Sequence, residues 1–139
     1  MLLLDTHAFI WICEGDVRRV GPRARGLVRK AAARDALRVS AVSLFEVVAL
    51  HVAGRLRLNH PVEGWLDEAL SVAGIRTTEV AREIAVDAGF IAREALADPV
   101  DRIVAATARH LDATLLTADE AVLVYARSTR GVRVQDLRR

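Results

Sequence analysis

Two aspartates flank a proline in "ADPVDRIVAATA" (97–108), and apolar residues follow at Val100, Ile103, Val104 and Leu111, the spacing of one helix face. Further acids stand at Asp5 after "LLL", at Glu46 within "SLFEVVAL" and at Asp119 after "TLLTA". Carboxylates brought to one place repel one another and resist ionising together. A bound Mg2+ or Mn2+, which prefers hard oxygen ligands, removes that conflict. Asp5, Glu46, Asp98, Asp101 and Asp119 are therefore candidate metal ligands. Each also has a plainer reading. Asp98 is placed to cap a helix with Pro99 at its first position, and Asp101 then faces the positive helix end. Ser43 with Glu46 and Thr117 with Glu120 both fit the Ser/Thr-x-x-Glu capping box, which leaves Asp119 as a first-turn acid. Asp5 or Thr6 would cap the first helix. The joint pattern favours metal, because helices that start at one sheet edge need not all start acidic.

The elements that must carry these acids alternate between short apolar runs and longer helical patterns. "LLLD" (2–5) reads as a buried strand, followed by a helix from Thr6 towards Cys13 that Glu14, Gly15 and Asp16 break. A helix from about Pro22 to Ala33, a strand in "ALRVSAV" (36–42) and a helix in "SLFEVVALHVAG" (43–54) come next. Pro61 opens a helix through about Ala73, with Gly74 as its stop. A short strand in "IRTTEV" (75–80), a helix through the eighties to about Ala95 and the helix at 98–111 follow. "ATLLTAD" is a strand, 120–127 a short helix and "VRVQD" a last edge strand. This alternation predicts an α/β fold, a small mainly parallel sheet of four to five strands with helices on both faces, formed by residues 1–139 as a single domain. In such sheets, binding sites form outside the carboxyl ends of the strands, where all five acids are expected.

Composition narrows the class. The chain has 139 residues, 53% of them hydrophobic, enough for a core. No apolar run approaches the ~18 residues of a membrane span, and the N-terminal "MLLLDTHAFIWIC" is interrupted by Asp5 and His7 with no basic region before it, so a cytoplasmic protein is expected. The single Cys13, read as a small core residue, excludes an internal disulfide and a thiolate zinc cluster. Net charge is +2, and Lys30 is the only lysine. Between Arg18 and Arg38 lie Arg19, Arg23, Arg25, Arg29, Lys30 and Arg34, opposed only by Asp35. Such a row suits phosphate and equally suits a solvated helix face. His7, His51, His60 and His110 show no metal-ligand spacing. Trp11, Phe45, Trp65 and Phe90 read as core or interface residues, too few for a base-stacking platform.

"LLLDTHAFIW", "VSAVSLFEVVALHVAGRLRL" (39–58), "DPVDRIVAATA" (98–108) and "LLTADEAV" (115–122) together resemble a PIN-domain ribonuclease of the VapC toxin type, in the right order over almost the whole chain. The resemblance implies a cluster of acids holding Mg2+ or Mn2+ to cut RNA, and neutralisation by a cognate antitoxin. By motif, Asp5, Glu46, Asp101 and Asp119 match the acidic quartet, Asp98 an additional acid of a two-aspartate subgroup, and Thr6 and Thr117 hydroxyl positions beside the site. Val100 stands where the subgroup usually has Phe, Phe45 where Trp is common, and "EALA" before Asp98 lacks a frequent His. The expected reaction is hydrolysis of an RNA phosphodiester, with a PIN-like module that binds without cutting as the alternative. A phospho-acceptor receiver domain would need a late lysine, a haloacid-dehalogenase-like phosphatase an Asp at position 7, and a dinucleotide-binding module a glycine-rich first turn; this chain has none of them. Apolar residues around Phe9, Trp11, Phe45, Val48 and Leu50 exceed what one sheet face requires and suggest a homodimer or a toxin–antitoxin hetero-oligomer.

Overall fold

A computed structural model describes every residue except Ala73, on which the expected end of one helix falls; that boundary therefore lies outside the described residues. In chain order the elements are β1 (Leu2–Leu4), α1 (Thr6–Cys13), α2 (Pro22–Ala33), β2 (Leu37–Ser40), α3 (Ala41–Val52), α4 (Val62–Val72), β3 (Arg76–Thr78), α5 (Arg82–Phe90), α6 (Pro99–His110), β4 (Thr114–Thr117), α7 (Glu120–Ser128) and β5 (Arg133–Asp136). The sheet is wholly parallel, with strand order β3-β2-β1-β4-β5.

Alternation of side chains along a strand divides the core in two. Leu2 and Leu4 join Val39, Leu116, Phe9, Val47 and Trp65 beneath α1, α2 and α4. Leu3 joins Leu115, Val104, Ala105, Val122 and Tyr125 beneath α6 and α7. Leu3, Leu4, Leu115 and Leu116 have no exposed surface, as expected of central parallel strands covered on both faces. Ile84 and Ala88 of α5 pack on Ala106 of α6 as a smaller third cluster. No helix among the described residues is long and apolar enough to cross a membrane.

Local signals account for most boundaries. Asp98 caps α6, its Oδ1 accepting from Val100 N at 2.8 Å, and Pro99 occupies the first turn. The α5 helix stops at Phe90 rather than running to Ala95, and residues 92–95 form a turn. Ser40 caps α3, accepting from Val42 N at 3.2 Å, so the helix begins earlier than expected and Ser43 lies inside it. The expected Ser43–Glu46 capping box is thus not the cap.

At Gly21, the N-cap of α2, the chain runs against its own far end. Arg139 O accepts from Arg23 N and Ala24 N, both at 3.1 Å, so it does the work of a side-chain cap. A Cβ at Gly21 would overlap the backbone of Arg138 and Arg139.

The apolar excess is distributed differently from the sequence expectation. Phe9 is fully buried, and Trp11, Val48 and Leu50 are half-buried against the core. Phe45 is 68% exposed and Phe90 85% exposed; neither is core. Cys13 is half-buried at the core's margin.

Candidate functional site

The strand order reverses direction at β1: the chain moves outward to β2 and β3, then returns to place β4 and β5 on the other side. Crevices outside the carboxyl ends of strands at such a reversal are where open α/β sheets bind ligands. Asp5 follows β1, and Thr117 ends β4, its immediate neighbour in register Leu4↔Leu116. Asp5 N donates to Leu116 O at 3.1 Å, so the two strand ends are fastened together. Asp119 lies two residues beyond β4. The α6 helix feeds β4, which turns its N-terminus, with Asp98 and Asp101, back towards the same edge. Glu46 arrives on α3, which starts directly after β2.

Three of the five acids are helix caps: the plainer reading is correct for Asp98 and for Asp5, whereas Asp119 is a cap and not the first-turn acid expected. Asp5 Oδ1 accepts from Ala8 N at 2.7 Å, Asp98 Oδ1 from Val100 N, and Asp119 Oδ1 from Ala121 N at 2.9 Å and Val122 N at 3.3 Å. Asp119, not Thr117, caps α7, which replaces the expected Thr117–Glu120 box. In each case capping occupies one carboxylate oxygen. The second oxygen of Asp5 accepts from the Thr117 hydroxyl, whose Oγ1 in turn accepts from Asp119 N at 3.0 Å. Thr117 thereby links Asp5, 112 positions before it, with the backbone of Asp119, two positions after it. The converging N-termini of α1, α6 and α7 supply partial positive charge that offsets some of the repulsion.

Electrostatics joins the five acids into one site. Burial pushes the Asp5 carboxyl up to about 6, against the opposing effects of Thr117, the Ala8 amide and His7; Asp119 adds to the rise. Asp101 is pushed up to about 8, first by burial, then by Asp98, Asp119, Asp5 and Glu46. Every other acid of the predicted set therefore acts on Asp101, and all four repel its charge.

Among the described residues, no three His, Cys, Asp or Glu side chains are grouped closely enough to hold a metal ion as they stand. The donor set nonetheless suits a hard divalent cation: five carboxylates, hydroxyls and no thiol or imidazole ligand, with a central carboxyl that its neighbours discourage from ionising. Thr6 Oγ1 and Ser43 Oγ are buried without a hydrogen-bond partner. Ser43, one turn before Glu46, is a polar group that the capping reading obscured. Arg102, beside Asp101, likewise keeps a buried Nε without a partner. His110 does not join the acids: its Nε2 lies 2.6 Å from Asp87 Oδ2, where it ties α6 to α5.

A parallel five-stranded sheet with acids gathered at its switch point is the architecture of a PIN domain, and the sequence model of the PIN domain family matches residues 2–127. The chain belongs to the PIN domain family. Within it, the chain is 30% identical over 118 residues to Ribonuclease VapC22 of Mycobacterium tuberculosis, covering 85% of this chain and 86% of the relative. Two solved structures are also similar. One is VapBC2 from Rickettsia felis bound to a promoter DNA fragment (TM-score 0.69, 14% identity, 96% of each chain covered). The other is FitAB bound to an IR36 DNA fragment (TM-score 0.65, 25% identity, covering 100% of this chain and 96% of that one).

Proposed function

We propose that this protein is a metal-dependent endoribonuclease, the toxin of a toxin–antitoxin pair, with residues 1–139 acting as one nuclease domain. The observation that carries this reading is the repulsion of Asp101 by all four other acids at the switch point of the sheet. Asp5, Asp101 and Asp119, with Glu46 and with Asp98 at the margin, would hold Mg2+ or Mn2+. When bound, such an ion supplies water activation and charge neutralisation at the scissile phosphate. Thr117 Oγ1 holds Asp5 Oδ2 and the Asp119 amide in one arrangement, so the two carboxylates keep their relative orientation. Thr6, the first residue of α1, brings a buried hydroxyl without a partner to the same corner. Glu46, without a side-chain hydrogen bond among the described residues, is available to orient the attacking water. The water oxygen bonds to phosphorus, the P–O3′ bond breaks, and the leaving 3′ oxygen takes a proton; the products carry a 5′-phosphate and a 3′-hydroxyl.

The likeness to Ribonuclease VapC22 and to the VapBC2 and FitAB assemblies supports both the reaction and a cognate antitoxin partner. Phe45 and Val52, one α3 face apart by seven residues and 68% and 80% exposed, support a homodimer or a toxin–antitoxin hetero-oligomer. We place the protein in the cytoplasm. The test is induction of this protein alone in a bacterial host, beside a folded Asp5→Asn variant. Growth arrest that needs Asp5, with 5′-phosphate ends on the cleaved RNA, supports the reading. Equal arrest by the variant, or 2′,3′-cyclic ends, overturns it.

A further inference from the structure

The cationic row of α2 is not at the acid site. Three of its members, Arg23, Lys30 and Arg34, line a cleft of about 470 Å3 at the opposite, amino-terminal edge of the sheet, between α2 and the β4–β5 side. Arg23, Lys30 and Arg34 recur at intervals of seven and four residues, which puts them on one helix face over about 16 Å. Arg133 of β5 faces them from the other wall. The floor between is largely apolar, with Leu2, Leu27, Ala31 and Val134 beside Thr114 and Gln135, and no acid lines the cleft among the described residues. Among the described residues, Arg23, Lys30 and Arg34 form no ion pair with an acid. Asp35, next to Arg34 in sequence, is engaged by Arg76 at 2.7 Å, and Asp112 pairs with the cleft's own Arg133 at 2.8 Å. Arg133 is thus partly neutralised, and three unpaired cations remain.

We propose that this cleft binds the phosphate backbone of single-stranded RNA outside the segment being cut, an assignment of occupant that rests on the ribonuclease reading above. Five carboxylates at the carboxyl edge repel a polyanion, so attraction for the backbone must come from elsewhere on the surface. The cleft offers it about one strand length, 10–13 Å, from the acids. An arginine or lysine rim suits phosphate, and an apolar floor suits the faces of sugars and bases. With no aromatic side chain in the lining among the described residues, bases are not stacked or read, so binding there is independent of sequence.

The experiment measures fluorescence anisotropy of a labelled oligouridylate with the full chain in EDTA, so that no cleavage occurs. The triple variant Arg23→Gln/Lys30→Gln/Arg34→Gln is compared with a control that removes three exposed arginines elsewhere, Arg55→Gln/Arg57→Gln/Arg130→Gln. Melting temperatures show that both are folded, and Lys30→Glu serves as a single-site variant. The expected result is binding weakened about 10-fold or more by the cleft triple, with the slope of log affinity against log salt shallower by about 2, and a much smaller loss in the control. Unchanged binding, or an equal loss in the control, overturns the proposal. More effective displacement of the RNA by polyglutamate than by unlabelled RNA assigns the cleft to an acidic protein segment and overturns it as well. Absence of cleavage with Mn2+ would sink the nuclease reading without altering this metal-free measurement, so the two failures are distinguishable.

Discussion

Replacing Asp101 by Asn removes a charge that the folded protein resists and leaves the shape of the side chain almost unchanged. The carboxyl is raised from 3.8 to about 8 by burial and by Asp98, Asp119, Asp5 and Glu46. At about 1.4 kcal/mol per pH unit, the full difference sets a ceiling near 6 kcal/mol. Asp101 keeps contact with solvent, so screening reduces the usable part to about 1–3 kcal/mol. Because folding raises this pKa, the folded state holds a proton that the unfolded state has lost between pH ~4 and ~8. Metal-free stability is therefore highest below that window and falls as pH rises through it. Asp5, raised to about 6, contributes in the same direction over the lower part of the window.

At pH 8 in EDTA, Asp101→Asn should therefore melt higher than the parent by about 2–12 °C, taking 2–4 °C per kcal/mol for a chain of this size. The gain should shrink towards pH 4.5. Adding Mn2+ should reverse the order, since the parent is stabilised by binding and the variant is not. The assay is calorimetric melting across pH with and without Mn2+, alongside RNA cleavage, which the variant should lose. A variant no more stable than the parent at pH 8, or one that binds Mn2+ and cleaves RNA as the parent does, refutes the reasoning that Asp101 is the centre of the cluster.

Asp98→Asn, which can still cap α6, should keep substantial cleavage and lose less than about 1 kcal/mol in chemical denaturation. Thr117→Val removes the hydroxyl that links Asp5 to the Asp119 amide; about 1–3 kcal/mol of stability should go with it, and Mn2+ titration should show weaker binding. Gly21→Ala should destabilise by about 1–3 kcal/mol in urea melts, because the added methyl displaces the backbone of Arg138 and Arg139 from the start of α2.

Much of the molecule was legible residue by residue. The α2 helix runs over 22–33 as predicted, and α6 begins at Pro99 beneath an Asp98 cap, because both starts combine a capping position with an early proline. The capping boxes misled because the Ser/Thr-x-x-Glu pattern starts one turn after the true cap Ser40 in one case and two residues before the true cap Asp119 in the other. The α5 helix ended early at Phe90 although "IAREALA" carries good helix formers, since Ile91 and Leu96 turn into the core instead. Phe45 and Phe90, read by type as core or interface residues, are exposed and so are not core.

The sequence alone determined which segments are strands and helices and that acids sit at their ends, because periodicity and capping act within a few residues. It could not determine that the acids meet. That follows from β1 pairing with β4, more than a hundred positions away, which sets Thr117 against Asp5 and turns the start of α6 towards them. Burial and charge repulsion at Asp101 arise only from this assembly, as does the cleft that sets α2's cations across from β5. Desolvation and Coulomb effects depend on distance in space, and only the tertiary structure supplies that distance.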